Sequence, residues 1–428
     1  MMKIKLKIGT DWLFSLLYKI FLDYMYVKIQ APLFGYNGFV NNGSVERIFL
    51  GWIIYIIMYV LISTEESDTS SLFVHVIFFL SITPFISLYQ FDTRCMLWML
   101  VSQCICLLYI NVLFSVGKKA KFGGINFHGV NYKNRSFRKL VFVFVMGYFG
   151  LSIMRFGIPN LRSMLFEEVY NTRTTANLST FQSIIQNAIC RIVCPLSMLV
   201  VFREKKWVSF SLLSLVQIYT YAVTGFKTYL FIPIVLIGLQ FMPRLNLKKT
   251  IVVGLPIAVI LLTLTYMITH NTMIYAVFGN RLFFLPAKIK YAYFDYFHNH
   301  PFVYFTQNSI SRILGVKSNY ETKVVYLIGE FYFNKPNMWT NTGFMADAYA
   351  NLGFVGMALM GGLLALTLNL LIKQLKYVPS DLQKELQAVF VTFYISLNDG
   401  ATISVLFSGG LLFAILIVCF VKFYDLRN

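Results

Sequence analysis

Charge is scarce in this chain. Asp, Glu, Lys and Arg make up only 13% of its 428 residues, against 57% hydrophobic. A soluble protein of this size carries roughly twice that charged share to cover its surface, so a soluble globular protein is excluded. Acid is scarcer than base: 18 Asp and Glu stand against 37 Lys and Arg, a net charge of +19. The surplus does not point to nucleic acid, because the basic residues gather in alternate connections between apolar runs. Cysteine is sparse too. Cys95, Cys104, Cys106, Cys190, Cys194 and Cys419 lie in or beside apolar runs, where buried small side chains are expected rather than disulfides or metal ligands.

Several motifs are missing. There is no GxxxxGK[ST] and hence no P-loop, no HExxH or CxxC for zinc, no GxSxG, and no Asp-x-Asp pair to hold a metal–nucleotide sugar. His298 and His300 in DYFHNHP have only i, i+2 spacing, a weak metal pattern beside that of an exposed polar loop. No metal and no cofactor is expected. No linker, internal repeat or low-complexity tract interrupts the chain, which reads as a single transmembrane domain over 1–428. The opening MMKIKLKIGTD lacks a small-residue cleavage site and reads as a lead-in to the first helix.

Apolar runs long enough to cross a ~30 Å hydrocarbon core recur throughout. About twelve spans are expected: 12–29, 48–63, 72–90, 95–116, 139–156, 183–202, 207–223, 228–242, 250–269, 344–372, 386–402 and 404–423. The fold class is therefore all-α, a polytopic integral membrane protein. The first span contains Lys19 and Asp23, i, i+4 neighbours able to neutralise each other inside a bundle. One set of loops holds Lys118, Lys119, Lys121, Lys133, Arg135, Arg138, Arg203, Lys205, Lys206, Arg244, Lys248, Lys249, Lys373, Lys376 and Lys384. The positive-inside rule puts that set, and both termini, in the cytoplasm. Glu65, Glu66 and Asp68 also fall inside, but acidic residues count little in the rule. Two long segments, 157–182 and 270–343, then face out. Both mix Arg, Tyr, Phe and Asn, as a folded, membrane-skimming loop would.

Isolated cations mark the outer side: Arg155, Arg162, Arg173, Lys227 in the tight TGFKT turn, Arg281 in FGNRLFF and Arg312 in NSISRILG. Arg reads phosphate bidentately and Lys acts as a point charge, though each also suits a headgroup anchor or a loop salt bridge. The run YAYFDYFHNHPFVYF (291–305) suits sugar stacking or an interfacial belt equally. Asp347 opens the tenth span. On a helix it shares a face with Asn351, Ala358, Gly362, Ala365 and Asn369, a small and polar stripe expected to press against protein. Two roles stay open for it: a first-turn acid favoured by the macrodipole, or a carboxylate over a cavity. Asn398 and Asp399, in LNDGAT, break the eleventh span near the same level.

The stretch TGFMADAYANLGFVGMAL, with its [DE]-x-Y-x-N-x-G-x-x-G pattern, resembles the late signature of the O-antigen polymerases, the Wzy-type oligosaccharide repeat-unit polymerases. APLFGYNGF, VTGFKTYLF and GNRLFFLPA have the same character, and the resemblance in topology covers nearly the whole chain. It implies a GT-C-like, lipid-donor glycosyltransferase of the bacterial inner membrane, acting in lipopolysaccharide and surface-polysaccharide biosynthesis. The partner would be glycan carried on undecaprenyl pyrophosphate, with membrane lipid around the protein. A chain-length regulator and a flippase are further expected partners, and nucleic acid is not. Under this resemblance Arg173, Lys227, Arg281 and Arg312 are candidates to bind the substrate's diphosphate and glycan, with Tyr349 and Asn351 beside them. Asp347 or Asp399 would take the acceptor's proton or orient its hydroxyl. An O-antigen ligase shares this chemistry and layout. A repeat-unit flippase handles the same lipid-linked glycan, but should carry more charge along its helices and shorter loops.

Overall fold

The computed structural model describes residues 10–62, 69–119, 130–131, 134–159, 178–242, 246–378 and 380–422. Arg162, Arg173, Lys133, Glu65, Glu66 and Asp68 lie outside these, as does the side chain of Arg312. The described chain is helical; its one strand pairing is a two-residue parallel contact of Val130–Asn131 with Val421–Lys422.

Among the described residues, 8 helices are long and apolar enough to cross a membrane: Val45–Ile62, Thr69–Phe91, Leu97–Lys119, Arg135–Phe156, Phe181–Arg203, Trp207–Thr224, Leu247–Thr269 and Phe344–Leu375. This is the build of a polytopic membrane protein. The other four expected spans are also largely helical: Thr10–Met25, continued by Tyr26–Gln30 and Ala31–Leu33, and the shorter Thr228–Gln240, Ser380–Ser396, and Thr402–Leu406 with Leu411–Phe420. At 1.5 Å per residue, the 13 residues of Thr228–Gln240 reach about 20 Å, short of a ~30 Å core.

The chain divides into two compact units. The first comprises Met1–Ala120, Asn246–Asn369 and Tyr394–Thr402; the second comprises Lys121–Leu245, Leu370–Phe393 and Ile403–Asn428. In the first, Thr69–Phe91 is buried along its whole length. Such a helix presents no stripe to lipid, and its polar residues, Ser81, Ser87 and Gln90 among them, bond to other parts of the protein. Tyr18, Tyr55, Tyr59, Phe78 and Phe79 pack on one another, Tyr55 stacked on Tyr59 and the other pairs edge-on or tilted. Lys19 and Asp23 pair within this core, as their spacing suggested. Ser87 Oγ donates to Asp23 Oδ1 at 2.6 Å, and Lys19 also reaches Gln90. The pair and its hydrogen bonds let a carboxylate and an ammonium stay buried.

Segment 270–343 is mostly helix: Thr272–Tyr275, a π-helical stretch Ala276–Phe284, Leu285–Asn299, Ser309–Ile313 and Val324–Phe333. Tyr291, Tyr293, Phe294, Tyr296 and Phe297 are buried. The aromatic run is therefore largely protein core rather than an exposed belt.

In the second unit, Val145, Ile189, Cys190, Cys194, Met198, Leu213, Val216 and Tyr229 form the core. Ser179 and Gln182 make a reciprocal capping box that starts Thr180–Ala188. Gly225, at φ +68°, ends Trp207–Thr224 in the left-handed conformation and turns the chain toward Lys227. All six cysteines are free thiols; five are buried and Cys419 is partly so.

Candidate functional site

The first unit holds a polar centre built on Leu285–Asn299. Pro286 sits where the π-helical stretch Ala276–Phe284 passes into that helix, and it contributes no N–H to the continuous ladder. Lys288 and Lys290 follow at i, i+2, on opposite sides of the helix, and both are buried. Lys288 Nζ donates to Asp92 Oδ2 at 2.9 Å, and Arg94 Nε donates to Asp92 Oδ1 at 2.8 Å. Burial works against the Asp92 carboxylate. The Arg94 hydrogen bond and then the Lys288 charge more than offset it and hold Asp92 below the usual carboxylate range. This is a closed ion-pair group that docks the helix.

Lys290 is matched differently. Its Nζ donates to Ser81 Oγ at 2.7 Å and to Asn398 Oδ1 at 2.6 Å, both neutral acceptors. Ser81 lies in a π-helical stretch, Phe78–Ile82, within the buried Thr69–Phe91 helix. The extra residue of such a bulge re-aims side chains that a regular helix would point elsewhere. Burial pushes the Lys290 ammonium down to about 7, with the charge of Asp399 opposing.

Asn398 and Asp399 belong to the turn between Ser380–Ser396 and Thr402–Leu406. That turn docks on the start of the Phe344–Leu375 helix. Phe344 N–H donates to Leu397 O at 3.1 Å. Gly343 lies so close that a Cβ there would sit 2.4 Å from Asn398 O and 2.7 Å from Lys290 Cε. Asp347 follows one turn later, its N–H donating to Gly343 O at 3.0 Å. Its side chain is partly accessible between the buried Ala346 and Ala348. Among the described residues its carboxylate has no hydrogen-bond or ion-pair partner. Tyr293, one turn after Lys290 on its helix, feels that carboxylate: burial first, then the Asp347 charge, push its phenol up. The hydroxyls of Thr342 and Thr402, on the two strands of chain that meet here, are buried without a hydrogen-bond partner among the described residues. Unmatched polar groups of this kind mark a place for water or ligand.

The structure thus gathers Asp347 and Asp399 into one unit, with Asp399 exposed. It interrupts the expected stripe on the tenth span, whose later members still meet protein: Ala365 is buried, and Asn369 Nδ2 donates to Leu113 O at 3.1 Å. Leu352 (φ −150°) and Gly353 (φ +61°) leave helical geometry, so the helix kinks and Ala358 is exposed rather than aligned under Asp347. Asn351 uses its side chain on protein, accepting from Phe305 N at 2.7 Å and donating to Asp347 O at 2.8 Å. Tyr349 is buried among Trp98, Phe294, Phe302 and Phe354. Arg281 is exposed on the Ala276–Phe284 stretch of the first unit, and Lys227 is half-buried in the second. His298 packs on Trp98, while His300 stacks on Tyr296, so the two rings serve different aromatic contacts.

Lys290 was not singled out in the sequence. One signal was available: two lysines at i, i+2 inside Leu285–Phe297, an otherwise largely apolar and aromatic run, cannot both reach water from one face of a helix. Comparisons with protein-family models, curated proteins and solved structures find no match to this chain.

Proposed function

We propose that this chain is a lipid-donor glycosyltransferase of the O-antigen polymerase type. It joins oligosaccharide repeat units carried on undecaprenyl pyrophosphate at the periplasmic face of a bacterial inner membrane. In this reading twelve helices span the membrane, both termini are cytoplasmic, and 157–182 and 270–343 are periplasmic. The observation that carries it is Asp347. A partly accessible carboxylate, without a hydrogen-bond or ion-pair partner among the described residues, opens the helix bearing the D-x-Y-x-N-x-G-x-x-G pattern, beside the turn that carries Asp399.

The acceptor sugar hydroxyl attacks the anomeric carbon of the donor glycan. The bond from that carbon to the diphosphate oxygen breaks, and the lipid diphosphate leaves with its electron pair. Asp347 or Asp399 takes the hydroxyl proton or orders the hydroxyl for attack. Arg173, Lys227 and Arg281 are the candidates to neutralise the departing diphosphate, and Arg312 is a further candidate to bind substrate. Asn351 and Tyr349 support this reading as residues that hold the helix start and its neighbouring strap, 303–305, in place.

Deletion of the gene, with gel analysis of the surface glycan, tests the proposal. A polymerase defect leaves glycan of one repeat and removes the ladder; re-expression restores the ladder. Loss of all glycan would instead indicate a flippase or ligase, and an unchanged ladder would refute the reading.

A further inference from the structure

Lys290 is 1% exposed and cannot meet a ligand from its present position. Among the described residues its hydrogen-bond acceptors are two neutral oxygens, and no carboxylate lies within ion-pair distance. Burying an ammonium is costly unless something specific holds it. Lys288, two residues earlier, has Asp92 for that purpose; Lys290 does not.

What Lys290 does have is a place at the junction of three chain segments. Ser81 comes from the Phe78–Ile82 bulge, Asn398 from the 397–402 turn, and Gly343 from the start of the helix that carries Asp347. Gly343 has no side chain, so the lysine stem passes directly against its backbone. We propose that Lys290 is the positioning residue of the site, pinning the 397–402 turn to the 343–347 helix start so that Asp399 and Asp347 keep a fixed relation. The lysine acts through Asn398 on the residue that follows it, and through Gly343 on the turn that ends at Asp347. For its activity readout this inference rests on the polymerase reading; for its structural readout it does not.

The groups that bear on Lys290 are few. Asp399, on the turn, is the acid whose charge it senses. Ser81 and Asn398 do not titrate. On its own helix, Lys288 is engaged by Asp92, and Tyr293 faces Asp347. The ammonium is charged at low pH and loses its proton as the pH rises through about 7. Polymer formation should therefore fall on the alkaline side of neutrality through this group.

The test is Lys290→Met in the full-length chain, a change that keeps the apolar stem and removes the charge. Two measurements are made on matched amounts of membrane protein. Hydrogen exchange at 343–347 and 397–402 should accelerate by about 10- to 100-fold, as expected when a charge-assisted contact is lost, with other helices unchanged. Polymer formation should fall, and its alkaline limb near neutrality should disappear. Should Lys290→Met fail to accumulate, Asn398→Ala is measured the same way and should show the same local exchange. Exchange within about twofold of the original chain overturns the proposal, and so does accelerated exchange with an unaltered amount and pH profile of polymer. Accelerated exchange in a chain that never makes polymer, even unmutated, leaves the pin in place and removes the polymerase reading instead.

Discussion

Gly343→Ala puts one methyl group into the tightest contact of the proposed site. Its carbon would sit 2.4 Å from Asn398 O, 2.7 Å from Lys290 Cε and 3.1 Å from Asn398 C. Heavy atoms in good contact stand about 3.5–4.0 Å apart, so the two segments must separate by about 1 Å. Neither side gives easily. The turn is tied by the Phe344 N–H to Leu397 O bond, and the lysine head by its bonds to Ser81 and Asn398. Overpacking of this kind costs about 1–3 kcal/mol. Losing a hydrogen bond to a charged group adds about 1.5–3 kcal/mol, for about 2.5–6 kcal/mol in all. If the turn moves instead, a displacement of about 1 Å at reacting groups lowers the rate by about 100-fold. Thermal unfolding in detergent and the glycan ladder are both read. Gly147→Ala is the control: nothing lies within 4 Å of its Cβ position, inside the Arg135–Phe156 helix. Alanine there should be neutral or slightly stabilising, because glycine costs about 0.5–1 kcal/mol in a helix. If Gly343→Ala melts with Gly147→Ala and makes a full ladder, the contact is not tight and the reasoning fails.

The carboxylates and cations give further outcomes. Asp347→Asn should keep its fold and lose about 10²–10⁴ in rate if Asp347 is the base. A first-turn acid would lose at most ~1 kcal/mol of stability and make normal polymer. Asp399→Asn is measured beside it, and a near-normal ladder from one of the pair moves the role to the other. Lys227→Ala should lower the rate by about 10- to 100-fold if the lysine meets the diphosphate in the transition state; normal polymer at normal expression excludes that role. Cysteines introduced in 157–182 and 270–343 should react with an impermeant reagent in cells with a permeable outer membrane, and one near Lys133 should not. Reaction there would reverse the proposed orientation.

Much of the fold was legible because membrane helices advertise themselves by apolar length. Each expected span is largely helical where the chain is described, the last one as two pieces, Thr402–Leu406 and Leu411–Phe420. What the apolar pattern overstates is reach: Thr228–Gln240 is helical but short, and Ser380–Ser396 ends where LNDGAT turns. The kink at Leu352–Gly353 was hidden for a different reason. Glycine inside an apolar run reads as a small residue at a helix interface, and its left-handed φ leaves no mark on composition. The π-helical stretches at Phe78–Ile82 and Ala276–Phe284 are equally silent, since they change residue count per turn and not residue type.

The site divides along the same line. Asp347 and Asp399 could be picked out because an acid in an apolar run is conspicuous by itself. Lys290 could not, because what distinguishes it is its partners: Ser81 and Asn398 are 209 and 108 residues away in sequence. Seen in a row of aromatics and lysines, it resembles Lys288, and only the packed structure separates them. Lys288 meets the Asp92 carboxylate, which Arg94 also binds, and a charge paired in this way suits a residue that docks a helix. Lys290 meets oxygens without charge, at the junction of the two segments that carry the candidate acids. An ammonium held by neutral oxygens is costly to bury, and the two segments that this one ties together account for its place at the junction. The difference between two lysines on one helix is therefore the strongest reason to look for function around the second.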